Sequence, residues 1–354
     1  MRPILIDGSM GEGGGQILRT SIAISAVTGR PIRIVNIRAK RSNPGLQRQH
    51  LTGVQAVATI SDAVVRGASV GSTELEFIPG ELRGGSFEFN IGTAGSVTLV
   101  LQALAPLLFY LPGPARIVIT GGTDVPWSPT IDYVREVLAW FLRRLGLKVT
   151  ISLQRRGHYP RGGGRVEVVV EDPPGSIEGL ELPERGGIVR FGMRSHCVNL
   201  PQHVCERQAS SAERVIRSHF GDAEVRVELE PRSDGLGPGS GLAVWSYTEK
   251  SVLGADSLGE KGKRAEVVGE EAAVKLVEDL STGAALDRFM SDMIIPFLAL
   301  ARGRSIVTGA RLTLHALTNI EVVRLLVPEA SIQYEGREDG FFKLRVEGAA
   351  ITRK

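Results

Sequence analysis

Four segments of the chain carry residue types that can do chemistry. Asp7-Gly8-Ser9-Met10-Gly11-Glu12-Gly13-Gly14-Gly15-Gln16 is rich in glycine and holds an acid at its centre. Glycines at a helix start leave backbone N–H groups free to meet an anion such as phosphate. Glu12 would repel that anion unless a cation such as Mg²⁺ lay between them. Arg19 follows three residues after Gln16, one turn into the expected helix. Taken alone, the loop reads either as a phosphate cradle or as a structural strand-to-helix turn; no G-x-x-x-x-G-K-[ST] loop is present.

The second segment, Arg38 to His50, places Arg38, Lys40, Arg41 and Arg48 within eleven residues and includes Gln49. Such a loop either clamps a phosphate or an RNA end, or is a solvated basic turn. The third, Arg156-Gly157-His158-Tyr159-Pro160-Arg161-Gly162-Gly163-Gly164-Arg165-Val166, runs into a Val-rich strand. Its glycines imply either tight backbone packing or close approach to a ligand. The fourth, Thr313 to Ile320, sets His315 between an apolar run and a polar turn. A lone histidine there is more often structural, although a neutral imidazole is a competent nucleophile near pH 7. Cys197 and Cys205, with His196 and His203 nearby, match no common zinc spacing. Ordinary packing is the default for them, with a disulfide or a metal as alternatives.

The elements that would position these residues repeat. A helical apolar stretch ends at a glycine and a β-branched run follows, three times: Gln16 to Gly29 then Ile32–Val35, Val97 to Gly113 then Arg116–Ile119, and Phe289 to Gly303 then Ser305–Val307. Glycine closes such helices because a left-handed residue costs it nothing. The separation Gly29 to Gly113 is much shorter than Gly113 to Gly303, and the excess is about the size of a small domain. The expected class is therefore α/β (α+β): three repeated α/β units form the main domain, with a smaller α/β domain inserted after the second or third sheet unit. The boundaries drawn from composition are 1–184 plus 276–354 for the main domain and 185–275 for the insert. In the insert, a helix is expected over Pro201 to Phe220, strands near Ile188, Ala223 and Leu242, and a Gly-rich loop over Gly235 to Gly241.

The formal net charge of +3 gives no global basic field. Arg supplies 34 of the 42 Lys and Arg residues, which suits bidentate phosphate contacts but also an Arg-biased host. No apolar run reaches the ~20 residues of a membrane span, and the first residues lack a signal-peptide pattern. A cytoplasmic protein is expected.

Together, the glycine loop through Arg19, the Arg38/Arg41 segment, the Arg156–Val166 segment and the His315 turn closely resemble the RNA 3′-terminal phosphate cyclase family. Leu236-Gly237-Pro238-Gly239 in the insert fits as well, so the resemblance covers essentially the whole chain. It implies a ligase-type enzyme of RNA processing that uses ATP and Mg²⁺ or Mn²⁺ and releases AMP and diphosphate. Its histidine becomes AMP-linked, the AMP passes to an RNA 3′-phosphate, and the 2′-hydroxyl closes a 2′,3′-cyclic phosphate. Mapped residue by residue, His315 is the nucleophile and Glu12 the metal ligand. Arg19, Arg38, Arg41 and Gln49 handle phosphate or RNA. Gln102, Phe289, Met290, Ser291, Asp292 and Met293 line the nucleotide, and Pro129 and Tyr133 flank the adenine. Many relatives are expected to carry Tyr or His where this chain has Phe289, and Gln where it has Met293, which keeps base stacking available and leaves one polar nucleotide contact open. RNA bearing a 3′-phosphate is the expected partner, and a homo-oligomer is left open. Three other readings fit less well. A non-catalytic ribosome-assembly relative lacks the histidine, an enolpyruvyl transferase needs neither His315 nor the Arg156 segment, and a lysine-dependent ligase needs a Lys-x-Asp-Gly that is absent.

Overall fold

A computed structural model describes residues 2–353. It contains four four-stranded sheets, each with one parallel and two antiparallel pairings. Three of them share one topology: strand, helix, parallel strand, helix, then two antiparallel strands, with the fourth strand lying between the second and third.

The first unit runs Ile4–Asp7, helix Gly15–Thr28, Ile32–Val35, helix Arg48–Ile60, Val64–Arg66 and Leu75–Ile78. The second runs Gly85–Asn90, helix Val97–Leu104, Ala115–Gly121, a helical segment over 131–144, Val149–Arg155 and Gly164–Val170. The third opens on the short strand Glu181–Leu182. It resumes with the helical turns Met290–Met293 and Ile295–Leu300, then Arg304–Gly309, helix Leu314–Leu326, Ser331–Gly336 and Phe342–Glu347. The strands alternate as a half-buried sheet requires: Val166, Val168 and Val170 are fully buried while their neighbours are not. The three expected helix-to-strand repeats correspond to the first helix and second strand of each unit.

The remaining sheet interrupts the third unit after its first strand, so the insertion falls inside a repeat rather than between repeats. Periodicity could not locate it, because the two-residue strand Glu181–Leu182 is too short to show a period. The strand order here is Val225–Arg232, Ile188–Val198, Gly239–Thr248, Val252–Leu258, covered by helices His203–Phe220 and Ala265–Ser281. Phe191, Met193, Ile216, Val244 and Leu276 form a separate core. The two helices cross so closely that a Cβ on Gly269 would stand 2.0 Å from the Gln208 carbonyl oxygen. The second helix runs through the composition-based boundary at 275/276.

Two expectations in this region change. Gly239 and Gly241 lie within a strand rather than a loop. Cys197 and Cys205 are bridged by a disulfide, not merely packed, because the strand end carrying Cys197 abuts the first turn of the helix carrying Cys205. No helix among the described residues is long and apolar enough to cross a membrane.

Candidate active site

The starts of three helices converge at one place. Gly14 caps the helix Gly15–Thr28, Gln47 caps Arg48–Ile60, and Thr313 caps Leu314–Leu326, its hydroxyl accepting from Ala316 N–H at 3.0 Å. Helix N-termini carry partial positive charge and unpaired N–H groups, so such a meeting point favours a polyanion.

The glycine loop is locked onto the third repeat. Glu12 N–H donates to Thr318 Oγ1 at 3.0 Å, and a Cβ on Gly11, whose φ is 48°, would strike that oxygen at 2.2 Å. Thr20 Oγ1 donates to Asn319 Oδ1 at 2.7 Å, tying the first helix to the same helix of the third unit. Gly14 and Gly15 leave room for the Glu12 carboxylate and the His50 ring respectively, each of which a Cβ would crowd below 3 Å. Lys40 lies along Gly13 and donates to the Gly11 carbonyl at 2.7 Å.

His315 is the second residue of its helix, with its Nδ1 3.8 Å from Glu12 Oε2. Its pKa is lowered to about 4, first by desolvation and then by the guanidinium groups of Arg19 and Arg41, although 46% of the side chain stays open. The imidazole is therefore neutral at pH 7 and can offer a lone pair. Arg41 forms an ion pair with Glu12. The Glu12 carboxylate is 9% exposed, and neither oxygen accepts a hydrogen bond. A nearly buried carboxylate of this kind suits a hard dication.

Among the described residues Arg19 makes no hydrogen bond or ion pair. Burial lowers its pKa to about 10, with Asp292 opposing. A half-buried guanidinium with no hydrogen-bonded carboxylate is matched to an incoming anion. Arg38 is more occupied: at φ 54° it donates to the carbonyls of Asn43 at 2.5 Å and Gly45 at 2.8 Å, and so shapes its own loop. Gln49 reaches the second repeat, its Oε1 accepting from Ser96 N–H at 2.8 Å.

The expected nucleotide residues divide. Gln102 and Met293 share a cleft with Gln16, Arg19, Thr20 and Asn319. Gln102 Nε2 donates to Met293 Sδ at 2.8 Å, so the sulfur occupies this amide. Asp292 links this cleft to the nucleophile: Thr313 Oγ1 donates to its Oδ1 at 3.2 Å, and Asn319 Nδ2 to its carbonyl at 2.8 Å. Burial pushes the Asp292 carboxyl up to about 8. Phe289 is partly open, and Pro129 is held through its carbonyl by Thr98 at 2.8 Å. Tyr133 is buried behind Phe289, ring centroids 5.6 Å apart at 81°, with its hydroxyl donating to Asp287 Oδ1 at 2.9 Å. It has no free face for a base, and its place is to buttress Phe289. Met290 and Ser291 are fully buried, the serine hydroxyl donating to the Asp287 carbonyl at 2.7 Å, so neither lines an open surface. They follow Phe289 into a helical turn whose inner side faces the core.

Sequence reasoning passed over three residues here. His50 packs on Gly15 with its pKa lowered to about 3 by burial, then by Arg19 and Arg38, so it is a neutral partner rather than a cation. Thr318 and Asn319 anchor the glycine loop and the first helix. Their three- and four-residue spacing from His315, which puts them on one face of its helix, is the available signal.

The Arg156 segment resolves towards packing. Cβ atoms on Gly157, Gly162 and Gly164 would collide with neighbouring backbone below 3 Å. The Arg156 guanidinium is buried among Asp124 at 3.0 Å, Asp132 at 2.6 Å and Glu230 of the inserted sheet.

A profile described as RTC, RNA 3′-terminal phosphate cyclase, matches residues 10–331. Relatives named RNA 3′-terminal phosphate cyclase include one from Hyperthermus butylicus, 59% identical over 98% of this chain and 98% of its own. One from Ignicoccus hospitalis is 54% identical over 99% of this chain and 100% of its own. One from Pyrobaculum aerophilum is 50% identical over 99% of each. Among solved structures, the enolpyruvyl transferase NikO from Streptomyces tendae aligns over 98% of this chain and 82% of its own at 12% identity. Its TM-score is 0.28.

Proposed function

The chain belongs to the RNA 3′-terminal phosphate cyclase family, and from that premise we propose that it is an ATP-dependent, cytoplasmic enzyme converting an RNA 3′-phosphate to a 2′,3′-cyclic phosphate, with His315 as the covalent nucleophile. The observation that carries the assignment is His315 itself: a neutral imidazole at a helix N-terminus, facing Glu12 and flanked by the unpaired Arg19.

With Nδ1 turned toward the Glu12 carboxylate, the proton sits best on Nδ1 and the Nε2 lone pair is left to attack. Nε2 forms a bond to the α-phosphorus of ATP, the bond to the bridging oxygen breaks, and diphosphate leaves. Arg19 and Arg41 stabilise charge on the phosphoryl oxygens, an effect worth roughly 10²- to 10³-fold per donor. Glu12 would hold a Mg²⁺ or Mn²⁺ ion, which when bound neutralises charge on the phosphates. An oxygen of the RNA 3′-phosphate then attacks the α-phosphorus and frees His315. The 2′-hydroxyl loses its proton, attacks the 3′-phosphorus and expels AMP.

Phe289, supported by Tyr133, is the proposed base platform, with Pro129 and Gln102 completing the nucleoside side. Arg38 and Gln49 lie toward the RNA. We take the main body as 1–184 plus 282–354 and 185–281 as the insert, moving the boundary from 275/276 to the end of the helix Ala265–Ser281, whose Leu276 and Leu280 pack in the insert's core.

Incubation with ATP and Mg²⁺ is expected to add one AMP per chain through an acid-labile, base-stable bond, and to make RNA 3′-phosphate ends phosphatase-resistant. Normal AMP labelling of a His315→Ala variant would overturn the nucleophile. Labelling without RNA end conversion would overturn the acceptor.

A further inference from the structure

We propose that Asp124, His158 and His196 form a binding site for a zinc-class transition-metal dication, built where the inserted sheet meets the second repeat. The site is separate from the catalytic cleft and does not depend on the proposed reaction.

The three side chains come from distant parts of the chain and all are buried, at 1%, 8% and 1% exposure. One donor atom from each lies within 4.8 Å of the others. The Nε2 atoms of His158 and His196 face each other at 3.0 Å. Tetrahedral donors bound at ~2.0–2.1 Å stand roughly 3.3 Å apart, so only a few tenths of an ångström separate this geometry from shared coordination. Two imidazoles and a carboxylate suit zinc, cobalt or nickel better than magnesium or calcium.

The surrounding polar groups are arranged as a metal site needs. Asp124 Oδ2 is held by Thr123 Oγ1 at 2.7 Å and Arg156 Nη1 at 3.0 Å, while its Oδ1 is buried and accepts nothing. His196 Nδ1 faces Asp132 Oδ2 at 3.8 Å, an arrangement in which an outer carboxylate orients a ligating imidazole. The contact between the two Nε2 atoms is the only hydrogen bond that either buried ring makes, since both Nδ1 atoms are without a partner; buried polar atoms in that state are uncommon. Arg156 takes only Asp124 Oδ2, which leaves Oδ1 open to an ion.

Two glycines of the inserted strand make the space. A Cβ on Gly239 would lie 2.1 Å from the His158 ring, and one on Gly241 would lie 2.9 Å from His196 Cε1. This accounts for glycines that no turn requires, since both positions lie within a strand. An ion held here would clip the Arg156 segment to the insert, joining parts of the chain separated by 38 residues.

The test strips the full chain with a chelator and titrates it with Co²⁺ and then Zn²⁺. One equivalent of Co²⁺ should bind with visible d–d absorption and be displaced by Zn²⁺, which should also raise the melting temperature. His158→Gln and His196→Gln should lose this binding, while Glu12→Gln should keep it. X-ray absorption on the unaltered zinc-loaded chain should show two imidazole ligands, and this holds even where a histidine variant fails to fold. Failure of the stripped chain to bind either ion overturns the site. So does a zinc spectrum without imidazole, or binding lost with Glu12→Gln and kept by His196→Gln.

Discussion

His315 and Glu12 stand 3.8 Å apart, Nδ1 to Oε2, although 302 residues separate them in the chain. The Thr318 hydroxyl fixes this meeting by accepting from the Glu12 amide one helical turn beyond His315. The nucleophile and the acid are thus held by one short hydrogen-bonded joint between the first and third repeats, and its consequences can be measured.

The pH dependence of self-adenylylation follows from the depressed His315 pKa. A lowered pKa means that the neutral, reactive form is half populated at about pH 4 and essentially complete by pH 6. The kcat/KM for metal-complexed ATP reports the free enzyme. It should stay level between pH 8 and 6 and decline only as pH approaches 4. A fall centred near 6.5 in single-turnover labelling would contradict the assigned environment.

Arg19 has no hydrogen-bonded carboxylate among the described residues, and its buried neighbour Asp292 is pushed up to about 8 by burial, so removing Arg19 strands no ionised partner at pH 7. Arg19→Ala should slow AMP transfer to His315 by about 10²- to 10³-fold, the scale for loss of one charge-stabilising donor. Its unfolding curve should stay close to that of the parent. A large stability loss with unchanged labelling would reverse this reading.

Arg156 should behave oppositely. Its guanidinium neutralises Asp124, Asp132 and Glu230 in a dry interface. Arg156→Met would leave the buried Asp124 without a cationic partner, while Asp132 keeps Arg194 and Glu230 keeps Arg232, and should cost about 3–5 kcal/mol in denaturant unfolding. Double substitution with Asp124→Asn should recover part of the loss. A single variant as stable as the parent would show that the cluster contributes little.

Gly14 leaves space for the Glu12 carboxylate: an added Cβ would lie 2.2 Å from Oε2 and 2.7 Å from Arg41 Nη2. Both neighbours are ends of flexible side chains, so Gly14→Ala should fold. The carboxylate must move, however, and the Mg²⁺ concentration for half-maximal labelling should rise several-fold. An unchanged metal requirement would separate Glu12 from the metal.

The chain alone determined the local elements and the repeat. Helix stops at Gly29 and Gly303, the β-branched runs after them and the alternating Val166–Val170 strand are short-range signals, set by backbone freedom and side-chain period. The family resemblance rested on motifs such as Arg156–Val166, each contiguous and so legible in one dimension. Tertiary structure decided what those motifs face. Arg156, in a segment that the sequence left open between tight packing and close approach to a ligand, is consumed by three carboxylates, while Arg19 is left without a hydrogen-bonded partner. Tyr133, Met290 and Ser291 turn inward because their helical segments bury one face, a direction that residue type does not encode. The depressed His315 and His50 pKa values and the His158–His196 contact arise from desolvation and from charges brought in by other repeats. Residue type and spacing along one segment carry no record of those long-range neighbours, and only the packing of three repeats and an insert supplies them.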